Sequence, residues 1–225
     1  MNIVVCAPAR TGSTFIGILV RKITTITRWD TDDSKQDDAV LGPIRSSIPS
    51  VDEWNYIVHL RHPLDHIVSL YHSLTWDHPY MGPLNREFQY EQLRLHLREM
   101  TIDEFCFWYY RDYIKTIDEF IDIGRKQNAT FLTYEDMWDN YHHWVTDFLE
   151  PFKIFETRRQ EIIKHQKEHQ HKSVDSFEEN KPKLRHGIPG EHKAVLKQST
   201  IDMLRYEFRH IINFMDTIGS GKYEY

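Results

Sequence analysis

Residues 3–15 read Ile3-Val4-Val5-Cys6-Ala7-Pro8-Ala9-Arg10-Thr11-Gly12-Ser13-Thr14-Phe15, and this stretch decides the fold. Its first four residues are an apolar, β-branched run that predicts a buried strand. A turn with one glycine and three hydroxyl residues follows, and apolar residues then recur at helical spacing from Phe15. The order strand, turn, helix is typical of an α/β protein. The first N–H groups of such a helix have no acceptor within it, so the turn predicts an anion site with Arg10 beside it.

This turn differs from the phosphate loop of ATPases. That loop has the pattern G-x-x-x-x-G-K-[ST], in which a Lys follows the second Gly. Here the cation, Arg10, precedes Gly12, and no Lys follows it. No Asp in an apolar strand offers a magnesium ligand either. We therefore expect an anion held without a metal ion, by amides, hydroxyls and arginines; an ordinary strand-to-helix turn with a Ser or Thr cap is the alternative for these residues alone.

A second segment, residues 56–71, repeats the order strand, turn, helix. Residues 56–60 are strand-like, Arg61 follows them, and Pro63 stands where a helix would begin. Ligands of open α/β sheets bind outside the carboxyl ends of the strands. Arg61 is therefore expected beside the first turn, with Ser69, two helical turns further along, facing the same site. An arginine and a hydroxyl are suited to a second phosphate.

Four segments, in order, resemble the signatures of the sulfotransferases that use 3′-phosphoadenosine 5′-phosphosulfate (PAPS). Residues 8–15 resemble P-[KR]-[ST]-G-[ST]-[ST]-[WFL], with one extra residue after the Pro. Residues 61–71 match R-[DHN]-P-x-D-x-x-x-S-x-[YF], and residues 131–136 form a strand-like run ending in Y-E-D. Residues 185–193 match R-x-G-x-x-G-x-x-K. Each motif is weak alone, but their order and spacing together are specific.

The resemblance implies a fold and a reaction. We expect one P-loop-like α/β domain over residues 1–225, with a central, mostly parallel sheet flanked by helices. The implied enzyme moves a sulfuryl group from PAPS to a hydroxyl or amine of a small-molecule, sugar or peptide acceptor, leaving adenosine 3′,5′-bisphosphate. Residues 24–54 and 76–86 are predicted as acceptor-site loops, and residues 172–196 as a loop over the cofactor. A nucleotide-binding protein of this fold without the activity, and a P-loop kinase, are the alternatives.

The same resemblance implies roles for single residues. Arg10 takes the place of the family's usual Lys, which neutralises charge at the sulfate–phosphate bridge, and Phe15 takes the place of a common Trp. The 5′-phosphate would be bound by Thr11, Gly12, Ser13 and Thr14. The 3′-phosphate would be bound by Arg61, Ser69, Arg185, His186 and Gly187. The adenine would be bound by Phe15, Tyr134 and Phe177.

The catalytic base is where this chain departs from the family. Many members have a His in a K-T-H-x-P stretch, and the matching residues here place Ser47 at that position. Other branches use a carboxylate near the end of the first helix or in the strand that follows. Asp30 and Asp32 are the predicted catalytic carboxylates on that basis, and an Asp-rich solvated loop is the equal alternative. His72 and His78 are the reserve candidates.

Composition narrows the class of protein further. The chain has 225 residues and a formal net charge of −6, which argues against broad nucleic-acid binding. No stretch approaches eighteen consecutive apolar residues, so we expect no membrane span, and no signal segment is visible, which favours a cytoplasmic protein. Cys6 and Cys106 stand in apolar surroundings and are predicted as buried thiols. The histidines at 165, 169 and 171 are read as a solvated helix face in preference to a zinc site.

Hydrophobic periodicity predicts the remaining elements. A strand is expected at 129–133, and helices are expected at 12–22, 86–99, 101–126, 135–149, 156–171 and 199–215. The aromatic side chains of Phe105, Trp108 and Tyr109 are predicted as core in preference to substrate contacts.

Overall fold

The computed structural model describes residues 2–30, 40–44, 53–77, 87–164 and 187–219. The strands are β1 Ile3–Cys6, β2 Val40–Ile44, β3 Asn55–Leu60 and β4 Thr130–Thr133. The helices are α1 Ser13–Asp30, α2 Pro63–His72, α3 Glu87–Glu99, α4 Ile102–Lys126, α5 Tyr134–Asp139, α6 Tyr141–Leu149, α7 at 156–164, α8 His192–Val195, α9 Gln198–Glu207 and α10 Arg209–Ile218. A π-helical turn, Ser73–Asp77, follows α2, and a 3-10 turn, Glu150–Phe152, follows α6.

The four strands form one parallel sheet in the order β2-β1-β3-β4, which confirms the predicted α/β fold. The chain leaves β1 for β2 on one side and then crosses to β3 on the other. Ligands of open α/β sheets bind at such a reversal of strand order. Cys6 of β1 pairs with Val58 of β3, and Leu60 pairs with Thr133 of β4. The turns after β1, β3 and β4 therefore leave the sheet at one edge.

Alternating side chains of the strands feed two cores, one on each face of the sheet. Val4 and Cys6 point into a cluster built with α2, α4, α9 and α10. Ile3 and Val5 point to the other face, where α1, α6 and α7 cover them. Burial on both faces explains why β1 is a continuous apolar run, as is usual for a central parallel strand. The sheet is thus held rigidly, and its carboxyl edge is a fixed platform for the turns.

The stretch predicted as an acceptor loop, residues 24–54, contains regular structure. Helix α1 continues to Asp30, eight residues beyond the predicted end, because buried Ile23 extends its apolar face. Strand β2 was missed because Gly42 and Pro43 are turn residues in most contexts. β2 is an edge strand, where a proline costs no hydrogen bond of the sheet.

Two predicted helices are each two helices in the structure. The predicted 135–149 helix breaks at Asn140, whose φ of −134° and ψ of 55° are not helical. The predicted 199–215 helix breaks at Phe208, between α9 and α10. Helices α3 and α4 agree with their predictions to within one residue at each end. The predicted 156–171 helix is seen at 156–164, and its remaining residues lie outside the described ones.

The aromatic cluster on α4 is only partly core. Phe105 is fully buried, and half-buried Tyr109 stacks on it at 5.3 Å between ring centroids. Trp108 is 48% exposed, so its assignment to the core was wrong. Aromatic residues occupy four consecutive positions, 107–110, and a helix buries only one face, which leaves Phe107 and Trp108 outside.

The predictions about the two cysteines and about membrane-spanning helices are tested within the described ranges. Cys6 and Cys106 are buried and unbridged, and burial raises the pKa of each thiol to about 12. Both are therefore inert, neutral core residues. Among the described helices, none combines the length and the apolar character needed to cross a bilayer.

Candidate active site

The turn after β1, residues 8–13, is defined here as the opening loop. Two of its residues have left-handed backbone conformations, Arg10 with φ 74° and Gly12 with φ 81°. For the non-glycine Arg10 such a conformation costs about 1–3 kcal/mol and persists only where the surroundings hold it. The Pro8 carbonyl accepts two hydrogen bonds from Thr11, at 3.2 Å from the amide and 2.8 Å from Oγ1. The chain is thereby folded tightly into the start of α1.

The Arg61 side chain joins the opening loop to the rest of the carboxyl edge. Its Nη1 donates to the Arg10 carbonyl at 3.2 Å, and its Nη2 donates to the Gly187 carbonyl at 3.1 Å. The guanidinium carbon lies 4.4 Å from the centre of the Tyr134 ring, a cation–π contact. Arg61 is only 4% exposed, yet within the described part of the chain its guanidinium makes no ion pair with a carboxylate. Its positive charge is held among carbonyl dipoles and an aromatic face.

Ser69 lies at the same place, as strand order and helix spacing predicted. Arg10 Nε donates a hydrogen bond to Ser69 Oγ at 3.3 Å. Ser69 is buried and stands two turns into α2, which begins at Pro63 as expected. The structure therefore brings together three residues that the sequence assigned to one site: Arg10, Arg61 and Ser69.

Residues 187–192, defined here as the late loop, pass over this group. Gly187 has φ 65°, and a Cβ there would lie 2.9 Å from the Tyr134 hydroxyl oxygen, so any other residue would strain the backbone and force the loop or the ring to shift. The loop is fastened to α2 by Asp65. The Asp65 carboxylate accepts hydrogen bonds from the amides of Gly190 at 2.6 Å and His192 at 2.9 Å, and from His192 Nδ1 at 2.8 Å.

Asp65 is ionised in this arrangement. Burial acts to raise the pKa of its carboxyl, but the hydrogen bonds from His192 and Gly190 outweigh burial and lower that pKa to about 2. A buried carboxylate that accepts three N–H groups is fully satisfied. The late loop is therefore tethered by one charged group at the first turn of α2.

Glu135 supports the turn that carries Arg61. Its Oε1 accepts a hydrogen bond from the His62 amide at 2.9 Å, and the side chain is fully buried. Burial raises the pKa of this carboxyl to about 7, against the effect of the His62 hydrogen bond and the nearby Arg61 charge. The acid of the Y-E-D motif thus fixes the backbone next to Arg61.

A group of possible metal ligands occurs in the same region. Ligand atoms of His62, Asp65 and His192 lie within 4.8 Å of one another, and the two imidazoles stack at 5.4 Å. The Asp65 oxygens already accept three N–H groups, and a metal ion would have to displace them. The donor set is therefore explained by hydrogen bonding, and a site without metal stays a prediction.

The hydroxyl residues of the opening loop differ in their surroundings. Thr11 is fully buried, and both its amide and its hydroxyl donate to the Pro8 carbonyl. Ser13 is buried and Thr14 is exposed. Half-buried Phe15 packs on Tyr141 and Trp144, each at 6.2 Å, in the core beside α6.

Asp30 is not part of this site. It is the last residue of the 18-residue helix α1, so helical rise places it about 25 Å from Ser13 along the axis. The chain then enters β2 at Val40, which pairs with Ile3 at the amino end of β1. Asp30 thus belongs to the opposite edge of the sheet from Arg10, and the structure does not bring the two residues together. The other predicted site residues Asp32, Ser47, Phe177, Arg185 and His186, and the reserve His78, lie outside the described residues.

Sequence reasoning also missed residues that build the site. Asp65 and Glu135 stand inside matched motifs, but only their identity and spacing were used. Asp65 binds Gly190, which is 125 positions away, and no local pattern reveals such a partner. His66, whose Nε2 lies 2.7 Å from the Ala9 carbonyl oxygen, was hidden for the same reason.

Known proteins resemble this chain at two levels. The structure of mouse sulfotransferase SULT7A1 complexed with PAP aligns with a TM-score of 0.60 at 12% identity, over 96% of this chain and 86% of that one. This likeness confirms the fold. No curated protein matches the chain by sequence. The family model for the sulfotransferase domain matches residues 43–212, a range that includes Arg61, Ser69 and the late loop and begins after the opening loop. Because that range exceeds half of the chain, this protein belongs to the sulfotransferase family, as its motifs indicated.

Proposed function

We propose that this enzyme takes a sulfuryl group from PAPS and transfers it to a hydroxyl or amine of a small-molecule, sugar or peptide acceptor. The observation that carries the proposal is the hydrogen bond from Arg61 Nη1 to the Arg10 carbonyl. It joins the two cationic turns at the carboxyl ends of neighbouring strands. One nucleotide with phosphates on both its 3′ and 5′ positions fits such a pair of adjacent anion sites.

The proposed roles follow the positions of the charges. Arg10 and the first amides of α1 bind the 5′ end, where negative charge grows as the donor breaks. Arg61 and Ser69 bind the 3′-phosphate, and the late loop closes over it. Tyr134, whose ring lies against the Arg61 guanidinium, contributes an aromatic wall near the adenine. We also propose that residues 1–225 act as one domain. The segments that flank β2 and residues 76–86 would determine which acceptor binds.

The reaction needs positioning and charge neutralisation more than covalent chemistry. The acceptor oxygen or nitrogen forms a bond to sulfur, and the bond from sulfur to the bridging phosphate oxygen breaks. Adenosine 3′,5′-bisphosphate (PAP) leaves with that electron pair, and the acceptor's proton passes to a base. An arginine keeps its proton at neutral pH, so Arg10 acts as a fixed charge and not as an acid.

The binding test compares nucleotides on one variant. We expect Arg61→Ala to weaken PAP by about 10²-fold, because it removes a buried cation from a phosphate, and to weaken AMP far less, because AMP has no 3′-phosphate and loses only the support that Arg61 gives to the opening loop. Titration calorimetry measures both constants. Arg125→Ala is the control, since Arg125 also stacks on a ring, that of Phe214 at 4.6 Å, but belongs to the far end of α4. Equal losses for PAP and AMP would remove Arg61 from the 3′ site.

The activity test uses labelled PAPS and a panel of hydroxyl and amine acceptors. Transfer of label to any acceptor, with release of PAP, supports the proposal. Tight PAP binding with no transfer across the panel favours a nucleotide-binding protein of the same fold that lost the reaction.

The base is tested by a pair of neighbouring carboxylates. Asp32 follows Asp30 by two residues, which span at most about 7 Å, so the position of Asp30 argues against both predicted carboxylates. We therefore expect Asp30→Asn and Asp32→Asn each to retain the wild-type kcat. A loss of 10²-fold or more in either variant, within the usual range for general-base catalysis, would identify that carboxylate as the base.

A further inference from the structure

Two side chains, His66 of α2 and Arg61 just after β3, hold the opening loop by two successive carbonyl groups. Arg61 donates to the carbonyl of Arg10, and His66 Nε2 lies 2.7 Å from the carbonyl oxygen of Ala9. These carbonyls flank the left-handed backbone of Arg10. The conformation that sets the direction of the Arg10 side chain is therefore held from both sides.

The protonation state of His66 can be deduced from its partners. The Ala9 carbonyl can only accept a hydrogen bond, so His66 Nε2 carries the ring hydrogen and is the donor. Burial, with the charges of Arg61 and Arg10, lowers the pKa of His66 to about 3, so the ring is neutral and Nδ1 has no proton. The Tyr113 hydroxyl, 3.0 Å from Nδ1, must then be the donor. Burial raises the pKa of Tyr113 well above its usual value, which keeps that donor protonated.

We infer that His66 is a positioning residue of the transfer reaction: with Tyr113 it fixes the peptide between Ala9 and Arg10, and so aims the Arg10 guanidinium and the α1 amides at the 5′ end of the donor. The inference rests on the proposed function. His66 has no capacity left for proton transfer, because both ring nitrogens are engaged and the ring is 2% exposed. It acts through the loop, and no contact with the donor is required of it.

Two amide variants separate the two nitrogens of the imidazole. The side-chain amide of Gln reaches about as far as Nε2, so His66→Gln keeps a donor for Ala9 and gives up the Tyr113 contact. The amide of Asn reaches about as far as Nδ1, so His66→Asn keeps a partner for the Tyr113 hydroxyl and loses the hydrogen bond to the Ala9 carbonyl of the opening loop. Both variants remove the ring from the core. A merely structural role therefore predicts that they behave alike.

The first measurement is amide hydrogen exchange on the protein without nucleotide. In the free protein, His66→Asn should speed amide hydrogen exchange at residues 9–12 by about tenfold or more relative to His66→Gln. Exchange that is equal in the two variants overturns the inference, whatever the enzyme's activity.

The second readout is kinetic. His66→Asn should lower kcat by about 10–100-fold, the usual effect of losing a supporting hydrogen bond around a reactive group, and His66→Gln should retain most of it. His66→Asn should also weaken PAP more than adenosine 3′-monophosphate, because the loop is assigned to the 5′ end. Equal kcat in the two variants overturns the inference. A wild-type protein that binds neither nucleotide and transfers no label overturns the proposed function instead, and the exchange result still decides whether His66 holds the loop.

Discussion

The opening loop and the late loop are both fastened to α2, by adjacent residues and by opposite chemistry. The opening loop is held at the Ala9 carbonyl by the neutral His66, which donates a hydrogen bond to it. The late loop is held at two amides and an imidazole by the ionised Asp65, which only accepts. One short helix thus sets the distance between the two walls of the proposed donor site.

This difference between the two loops assigns them different roles: the opening loop serves catalysis, and the late loop serves nucleotide binding. The opening loop carries the fixed charge of Arg10, and its tether is insensitive to pH because no partner titrates near neutrality. The late loop places Gly187 against Arg61 and Tyr134, and its tether depends on the charge of Asp65. Changes in the opening loop should therefore affect kcat, whereas changes in the late loop should affect nucleotide affinity and stability.

The largest expected effect is on the opening loop. Arg10→Ala should lower kcat by about 10²–10³-fold, because it removes a preorganised charge from the leaving group. The matched change in the other region is Lys193→Ala, which removes an exposed cation just beyond the late loop and should lower kcat by less than about threefold. Steady-state kinetics with one acceptor, and circular dichroism as a check of folding, measure both. Similar losses of kcat in the two variants would contradict the proposal that the opening loop, and not the late loop, determines kcat.

The carboxyl edge of the sheet could be predicted from sequence because its signals are local. The strand-like runs before Ala7 and Arg61 are short and apolar, and parallel pairing brings their ends together. Arg10 and Arg61 could therefore be placed side by side without coordinates.

The tethers and the base could not be predicted, for a physical reason. Asp65 and His66 act on partners far away in the chain, and hydrophobic periodicity carries no information about such pairs. The length of α1 depended on the burial of Ile23, which lies just past the predicted end of the helix. A helix that is eight residues longer ends about 12 Å further along its axis, which carries Asp30 away from Arg10.

The second prediction concerns the charged tether alone. The pKa of Asp65 in the folded protein is about 2, below its usual 3.8, so ionised Asp65 stabilises the fold above about pH 4. That contribution, about 2 kcal/mol, is lost as the pH falls from about 4 towards 2, because the unfolded chain binds the proton first. Urea unfolding at pH 6 and pH 3 measures about half of this loss, about 1 kcal/mol, because pH 3 lies between the two pKa values.

Asp65→Asn provides the control for this pH dependence. The variant cannot ionise, and one of its amide hydrogens meets the Gly190 amide, so it should be less stable at pH 6 and should lose less stability on acidification. His66→Gln should also lose less stability than the wild type on acidification, because the unfolded chain protonates His66 near its usual pKa of 6.5 and the folded protein does so only near its lowered pKa of about 3. An Asp65→Asn protein with the full wild-type loss between pH 6 and pH 3 would show that another group carries it.

The smallest effect compares one glycine in each loop. Gly12 and Gly187 both have left-handed backbones, so alanine at either position costs about 1 kcal/mol of stability. A Cβ at Gly12 would meet the methyl end of the flexible Met137 side chain at 3.0 Å, which can move aside. At Gly187 it would meet the hydroxyl of Tyr134, whose ring lies against Arg61, so the late loop itself must shift. Gly187→Ala should therefore weaken PAP severalfold in calorimetry, and Gly12→Ala should change PAP affinity less while lowering stability by a similar amount. The reverse order of affinities would mean that Tyr134 yields more easily than Met137, and that the late loop does not depend on the aromatic wall beneath it.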